Sequence, residues 1–197
     1  DVSTLDPGWA SSEQDRELSM NVYQRLLEYS FTKDSDGSYV WKGLDADPSL
    51  AESYEVEGDS AIFHLRTDVK FYPSGNPLTA EDVRWSYERS MKLGGGSDLS
   101  NGGLQKPSQI VVVDDHTVRF DFTDVKGNPV PATPTLLATM RMPNYGIVDA
   151  VTAKKHVTSD DPYASKWLRD NVVGTGPYYI AKRSPGQEIG LKAVPDS

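Results

Sequence analysis

The chain has 197 residues, 37% of them hydrophobic, enough to bury a core as one globular unit or two small lobes. Its 20 Lys and Arg against 29 Asp and Glu give a net charge of −9 with no block of basic residues, which sets nucleic acid aside as a partner. With 0 Cys there are no disulfides or thiolate metal sites, and no run approaches the ~18 consecutive apolar residues of a membrane span. The abrupt start at Asp1 and the end at "AVPDS" read as those of a processed or excised piece of something larger.

After the turn signal Asp6-Pro7-Gly8, the stretch "SSEQDRELSMNVYQRLLEY" places Leu18, Val22, Leu26 and Tyr29 at helical spacing. Ser12 caps that predicted helix, with Glu13 and Asp15 in its first turn. Two β-rich runs then flank Asp34-Ser35-Asp36-Gly37, a hairpin by composition. Further on, Ala61, Phe63 and Leu65 alternate with Ile62, His64 and Arg66 as one face of a strand. In "LTAEDVRWSYERSMK", Thr79 and Asp82 form a capping-box start, and Val83, Tyr87 and Met91 form the stripe of a second helix. The glycine-rich "LGGGSDLSNGGLQKPSQ" predicts a mobile connection to a hairpin that turns at Asp114-Asp115, with Val118, Phe120 and Phe122 on one face. Pro143 and Gly146 break the apolar run "LLATMRMPNYGIVDAV", and "DPYASKWLRDN" predicts a short helix capped by Asp161 with Pro162 at its first position. Strands and helices mix without regular β-α-β alternation, which gives the α+β class.

Catalytic constellations are missing. His64, His116 and His156 match no metal or triad spacing, and no G-x-S-x-G elbow occurs. Asp34 to Gly37 has its glycine in the fourth place of the run rather than the sixth place of a calcium loop. "GTGP", residues 174–177, lacks the third glycine of a phosphate loop and continues as strand, so its glycines serve positive φ or a close backbone approach. The chain is expected to be no enzyme, with no catalytic residue, no metal and no cofactor.

Taken together and in order, "TLDPGWASS…NVYQRLLEY", "LAESYEVEGDSAIFHLRTDVKFYPSGNPLTAEDVRWSYERSM", "VVVDDHTVRFDF" and "VVGTGPYYIAKRSPGQEIGLKAVPD" resemble the family 5 extracellular solute-binding proteins. These include dipeptide, oligopeptide and nickel receptors of ABC importers, and the resemblance covers nearly the whole chain. It implies the first lobe of a type II periplasmic-binding-protein (venus-flytrap) fold, a mixed β-sheet with an inserted smaller α+β subdomain. Residues 1–45 and 172–197 would form the first subdomain and 46–171 the insertion, with the second lobe absent. On that mapping Tyr178 to Ile180 should pair in the same sheet as a strand from before residue 46.

The resemblance further implies an extracytoplasmic monomer, periplasmic or lipid-anchored on the outer face of the membrane. It would capture a peptide or similar small solute between its lobes and deliver it to ABC permease subunits. A sensor or protein-interaction module on the same lobe is the alternative, recognisable by an exposed apolar patch. In peptide-binding members the second lobe supplies the acid that meets the peptide amino terminus. Two stretches of this chain match first-lobe ligand contacts. One is the loop Trp9, Ala10, Ser11 and Ser12, where aromatic area and hydroxyls suit a buried solute. The other holds Arg141, which could fork onto a ligand carboxylate, and Tyr145. The loop from Gly94 to Gly103 should border the cleft.

Overall fold

A computed structural model describes residues 2–93 and 96–195. Of the Gly94–Gly103 loop, Gly94 and Gly95 lie outside the described residues.

The first helix, α1 (Glu13–Val22), starts as its sequence dictates. Ser12 Oγ accepts from the Asp15 amide at 3.0 Å, and the Asp15 carboxylate reaches back to the Ser12 amide, closing a capping box. The helix ends earlier than its apolar spacing predicts. Tyr23 turns extended at φ −125°, Leu26 and Leu27 are both buried, and Tyr29 lies in strand β1 (Leu27–Lys33). Leu26 and Leu27 both enter the core from the extended chain that leads into β1, so packing overrides the 3.6 periodicity here.

β1 pairs antiparallel with β2 (Tyr39–Pro48) across the turn expected at Asp34 to Gly37. β3 (Ala51–Glu57), β4 (Ser60–Leu65), β6 (Thr117–Asp121) and β5 (Ile110–Asp114) form a four-stranded antiparallel sheet in that order. The β4–β6 register sets Ala61 opposite Phe120 and Phe63 opposite Val118, all fully buried, so the alternation read from sequence becomes one continuous apolar face. α2 (Ala80–Lys92) covers that face, with Tyr87 edge-on to Phe120 at 5.0 Å. Burying each such aromatic contributes about 1.5–3 kcal/mol.

The glycine-rich connection holds a short helix, α3 (Gly96–Asn101), anchored by the buried Leu99, where its composition pointed to irregular chain. α4 (Pro134–Ala138) is followed by single 3-10 turns at Thr139–Arg141 and Pro143–Tyr145, so the proline-broken run is the broken one predicted. α5 (Ala150–Ala153) and α6 (Ser165–Leu168) are single turns. α6 begins later than expected. Asp161 is not its N-cap, but its carboxylate still takes the Ser165 and Lys166 amides at 2.9 and 2.8 Å.

β7 (Tyr178–Ser184) and β8 (Glu188–Ala193) close the chain as a hairpin. Here two expectations fail. Tyr178 to Ile180 pair with β8 alone, and every strand pairing among the described residues is antiparallel rather than mixed. The return to the amino-terminal segment runs instead through backbone contact, Gly176 N–H donating to Val22 O at 3.1 Å. A Cβ on Gly174 would stand 2.2 Å from Val22 O, and one on Gly176 2.5 Å from Asn21 O. The glycines of "GTGPY" therefore serve close approach of two backbones.

α2 separates two buried clusters. Val83 and Tyr87 face the sheet together with Leu26, Leu99, Met140 and Tyr145, while Trp85 joins Leu18, Val22, Tyr23, Val148 and Val173. The fold is α+β, the class expected.

Candidate functional site

The loop of residues 9–12 is aimed by a buried anchor. Asp6 accepts the Gly8 amide on Oδ1 at 2.9 Å, and its Oδ2 receives Arg89 Nη2 at 2.6 Å, with both ionic side chains essentially inaccessible. Arg89 Nε also donates to the Tyr163 carbonyl at 2.9 Å, so the pair has the further hydrogen bonds a buried ion pair requires. Asp15 secures the other end of the loop. Burial works to raise its pKa, but hydrogen bonds from Ser12 and Ser3 outweigh this and hold it below the usual carboxylate value.

This corner brings the two predicted stretches together. Asn144 Nδ2 donates to Ala10 O at 3.1 Å, Ser19 Oγ of α1 donates to Pro143 O at 2.8 Å, and Ser90 Oγ of α2 donates to Asn144 O. Residues 134 positions apart in sequence thus share one face.

The six predicted ligand residues separate by exposure. Trp9 is 48% exposed and Ser11 is exposed, while Ser12 is half-buried with its hydroxyl spent on the helix cap. The Ala10 side chain is buried, and its carbonyl is taken by Asn144. Tyr145 is a correction: its ring is 1% exposed and stacks on Tyr87 at 5.7 Å, and burial raises its pKa. An aromatic that completes the core offers no surface to a solute. Arg141 is no surface arginine either, since only 5% of it is exposed. Its guanidinium lies over the Tyr29 ring at 4.7 Å and the Trp41 ring at 5.6 Å, and Nη1 donates to Asp45 O.

Sequence reasoning missed the groove beside this face, a cavity of about 450 Å³ lined by Glu13, Glu17, Met20, Tyr29, Asp98 and Met142 among others. Its signal was present: Glu13, Arg16, Glu17 and Met20 recur at helical spacing on the side of α1 opposite Leu18 and Val22. Tyr29 joins the two features, as a wall of the groove and as the ring beneath Arg141. Among the described residues no group of three or more His, Asp or Glu side chains could hold a metal ion.

Comparison with known proteins finds the same architecture elsewhere. The chain is 29% identical over 197 residues to the probable D,D-dipeptide-binding periplasmic protein DdpA of Escherichia coli, covering 99% of this chain and 34% of that protein. It is 25% identical over 214 residues to the periplasmic oligopeptide-binding protein OppA of the same organism, covering 34% of its length. Among solved structures, MoaA of A. tumefaciens R10 in complex with mannopinic acid superposes with a TM-score of 0.74 at 27% identity, over 98% of this chain and 35% of that one. DppA of Helicobacter pylori, in complex with the peptide STSA, superposes with a TM-score of 0.75 at 23% identity over 100% of this chain and 38% of that one, and shares the fold. The chain thus spans about a third of the length of these relatives. Residues 45–196 match the family model of the bacterial extracellular solute-binding proteins, family 5, and the chain belongs to that family.

Proposed function

We propose that this chain is the first lobe of an extracytoplasmic solute receptor for an ABC importer, taking a peptide or similar small solute and presenting it to a permease. The observation that carries the reading is the family match across residues 45–196. Relatives named for dipeptide and oligopeptide binding make peptides the first ligands to try. The exposed Trp9 and Ser11, the groove along α1 and Arg141 form the first-lobe share of the site. Residues 172–197 return to the amino-terminal segment through the Gly176–Val22 backbone contact and not through the shared sheet expected of them, and on that contact alone 1–45 and 172–197 are read as the lobe's ligand-proximal subdomain and 46–171 as the insertion. No catalytic role is assigned, and the receptor acts as a monomer outside the cytoplasm.

Closure around solute follows from differential affinity: only a ligand that touches both lobes stabilises the closed state. Isothermal titration of the intact protein with a dipeptide and tripeptide library should give saturable binding, and the 197-residue chain alone should bind at least tenfold more weakly. Equal affinity for the two would sink the two-lobe reading.

One observation favours the protein-interaction alternative. Phe31, Tyr39 and Trp41 are 53%, 71% and 56% exposed on one hairpin, the kind of apolar patch a partner protein covers. That reading predicts a stable protein complex and no solute bound in the titration above.

A further inference from the structure

The groove beside α1 combines an apolar floor with charge that its own lining does not balance. Met20, Tyr29, Met142 and Pro143 supply apolar surface, and Met20 is 41% exposed. The carboxylates of Glu13, Glu17 and Asp98 line the same cavity against the single guanidinium of Arg16. None of these four charged side chains forms an ion pair among the described residues.

The fold fixes this arrangement. Glu13 and Glu17 stand four residues apart on α1, so they share one face a turn apart, a spacing at which like charges repel. Asp98 joins them from the first turn of α3, which the buried Leu99 anchors. The Ser19 hydroxyl, bonded to the Pro143 carbonyl at 2.8 Å, ties the segment that carries Met142 to α1. The walls of this cavity of about 450 Å³ are therefore set before any solute arrives.

The lining selects the chemistry of the occupant. The three carboxylates do not converge closely enough to hold a metal ion, so their charge is spread along the groove rather than focused at a point. An anion would be repelled, and a neutral apolar solute would leave the charge uncompensated. An aliphatic stem ending in an ammonium group answers both features: its methylenes lie on the thioethers and the Tyr29 ring, and its head stays hydrated among the carboxylates. The net charge of the chain, −9, adds a field of the same sign.

We propose that Glu13, Glu17 and Asp98 make the α1 groove a seat for an alkylammonium group, carried either by a lysine side chain of a peptide or by a free aliphatic diamine. This rests on the solute-receptor reading for its place in transport, and its chemistry is tested apart from that reading.

The test follows the ¹³C methyl resonances of Met20 and Met142 in the intact protein, each assigned by its loss in Met20→Leu or Met142→Leu. n-Pentylammonium should shift both saturably while the fully buried Met140 stays unmoved, and n-pentanol should shift neither. Glu13→Gln, Glu17→Gln and Asp98→Asn combined, with circular dichroism unchanged, should weaken the ammonium response about tenfold, and Arg16→Gln should strengthen it. No saturable shift, an equal shift with pentanol, or full affinity in the folded triple variant would each overturn the assignment. Isothermal titration separates the two sources. A preference of about tenfold for alanyl-lysyl-alanine over alanyl-norleucyl-alanine, lost in the triple variant, assigns the seat to a peptide side chain. Binding of cadaverine without that preference assigns it to a free diamine. An ammonium response without any peptide binding keeps the seat and removes the peptide-receptor reading. Equal binding of both tripeptides without an ammonium response does the opposite.

Discussion

The four-stranded sheet and the β1–β2 hairpin are built from similar residues and end in different environments. β4 alternates half-buried and buried, with Ala61, Phe63 and Leu65 inside, whereas β2 from Tyr39 to Lys42 is exposed at every position. Both are rich in aromatic and β-branched side chains, so strand propensity does not separate them. The difference is the partner. The sheet has α2 laid across it within this chain, while the distal half of the hairpin, Tyr39 to Lys42, stays exposed with the Arg141 guanidinium against the Trp41 ring. A strand is therefore a local decision, and a buried strand is a tertiary one.

This contrast can be broken most directly at Phe120. Phe120→Ala removes a fully buried ring that meets both Phe63 and Tyr87 and should cost about 3–5 kcal/mol in urea unfolding. A loss under 1 kcal/mol would show that the sheet face is not the core. Arg89→Met asks whether the helix covering the sheet also depends on the Asp6 anchor. It strands a buried carboxylate and should cost a similar ~3–5 kcal/mol, with Asp6→Leu added to Arg89→Met recovering a measurable part.

Gly174→Ala is next in size. The added carbon meets Val22 O at 2.2 Å, and about 1–3 kcal/mol should be lost in thermal unfolding. An unchanged melting temperature would mean that the two backbones do not approach as described.

Glu81 samples the solvent-facing side of α2. The hydrogen bond from Arg84, opposed by partial desolvation and helped by Lys154, draws its pKa down to about 2. Because the folded pKa is depressed, its stabilisation is present above about pH 4.5 and fades as the pH falls toward 2. With 42% of the side chain exposed, solvent screening keeps the effect below about 1 kcal/mol. Glu81→Gln should be destabilising at pH 7 and indistinguishable from the wild type at pH 2; a pH-independent difference would point to a packing cause. The smallest change belongs to the hairpin. Tyr39→Thr, at a 71% exposed site, should shift stability of this chain by no more than about 0.5 kcal/mol.

How much was legible depended on whether the signal was local. Both capping boxes, the hairpin turn at Asp34 to Gly37 and the alternation of Phe63 and Leu65 were readable because each is a relation between residues a few positions apart. The stripe that carried the first helix too far, to Leu26 and Tyr29, shows the limit: hydrophobic spacing identifies what will be buried but not in which element. Tyr145 illustrates it for the site, since a tyrosine of the broken segment reads alike whether it faces a solute or stacks on Tyr87.

The sequence by itself determined the α+β class, the family resemblance, the starts of α1 and α2 and the close-approach role open to "GTGPY". Only the tertiary structure decided that Asn144 lies against Ala10, that Arg141 sits between Tyr29 and Trp41, and that the carboxy-terminal hairpin pairs with itself. The resemblance rests on matched motifs, and the rest of that group on local backbone preference and side-chain periodicity. The second rests on contacts between segments far apart in the chain, where burial and the satisfaction of hydrogen bonds, rather than any local preference, select the partner.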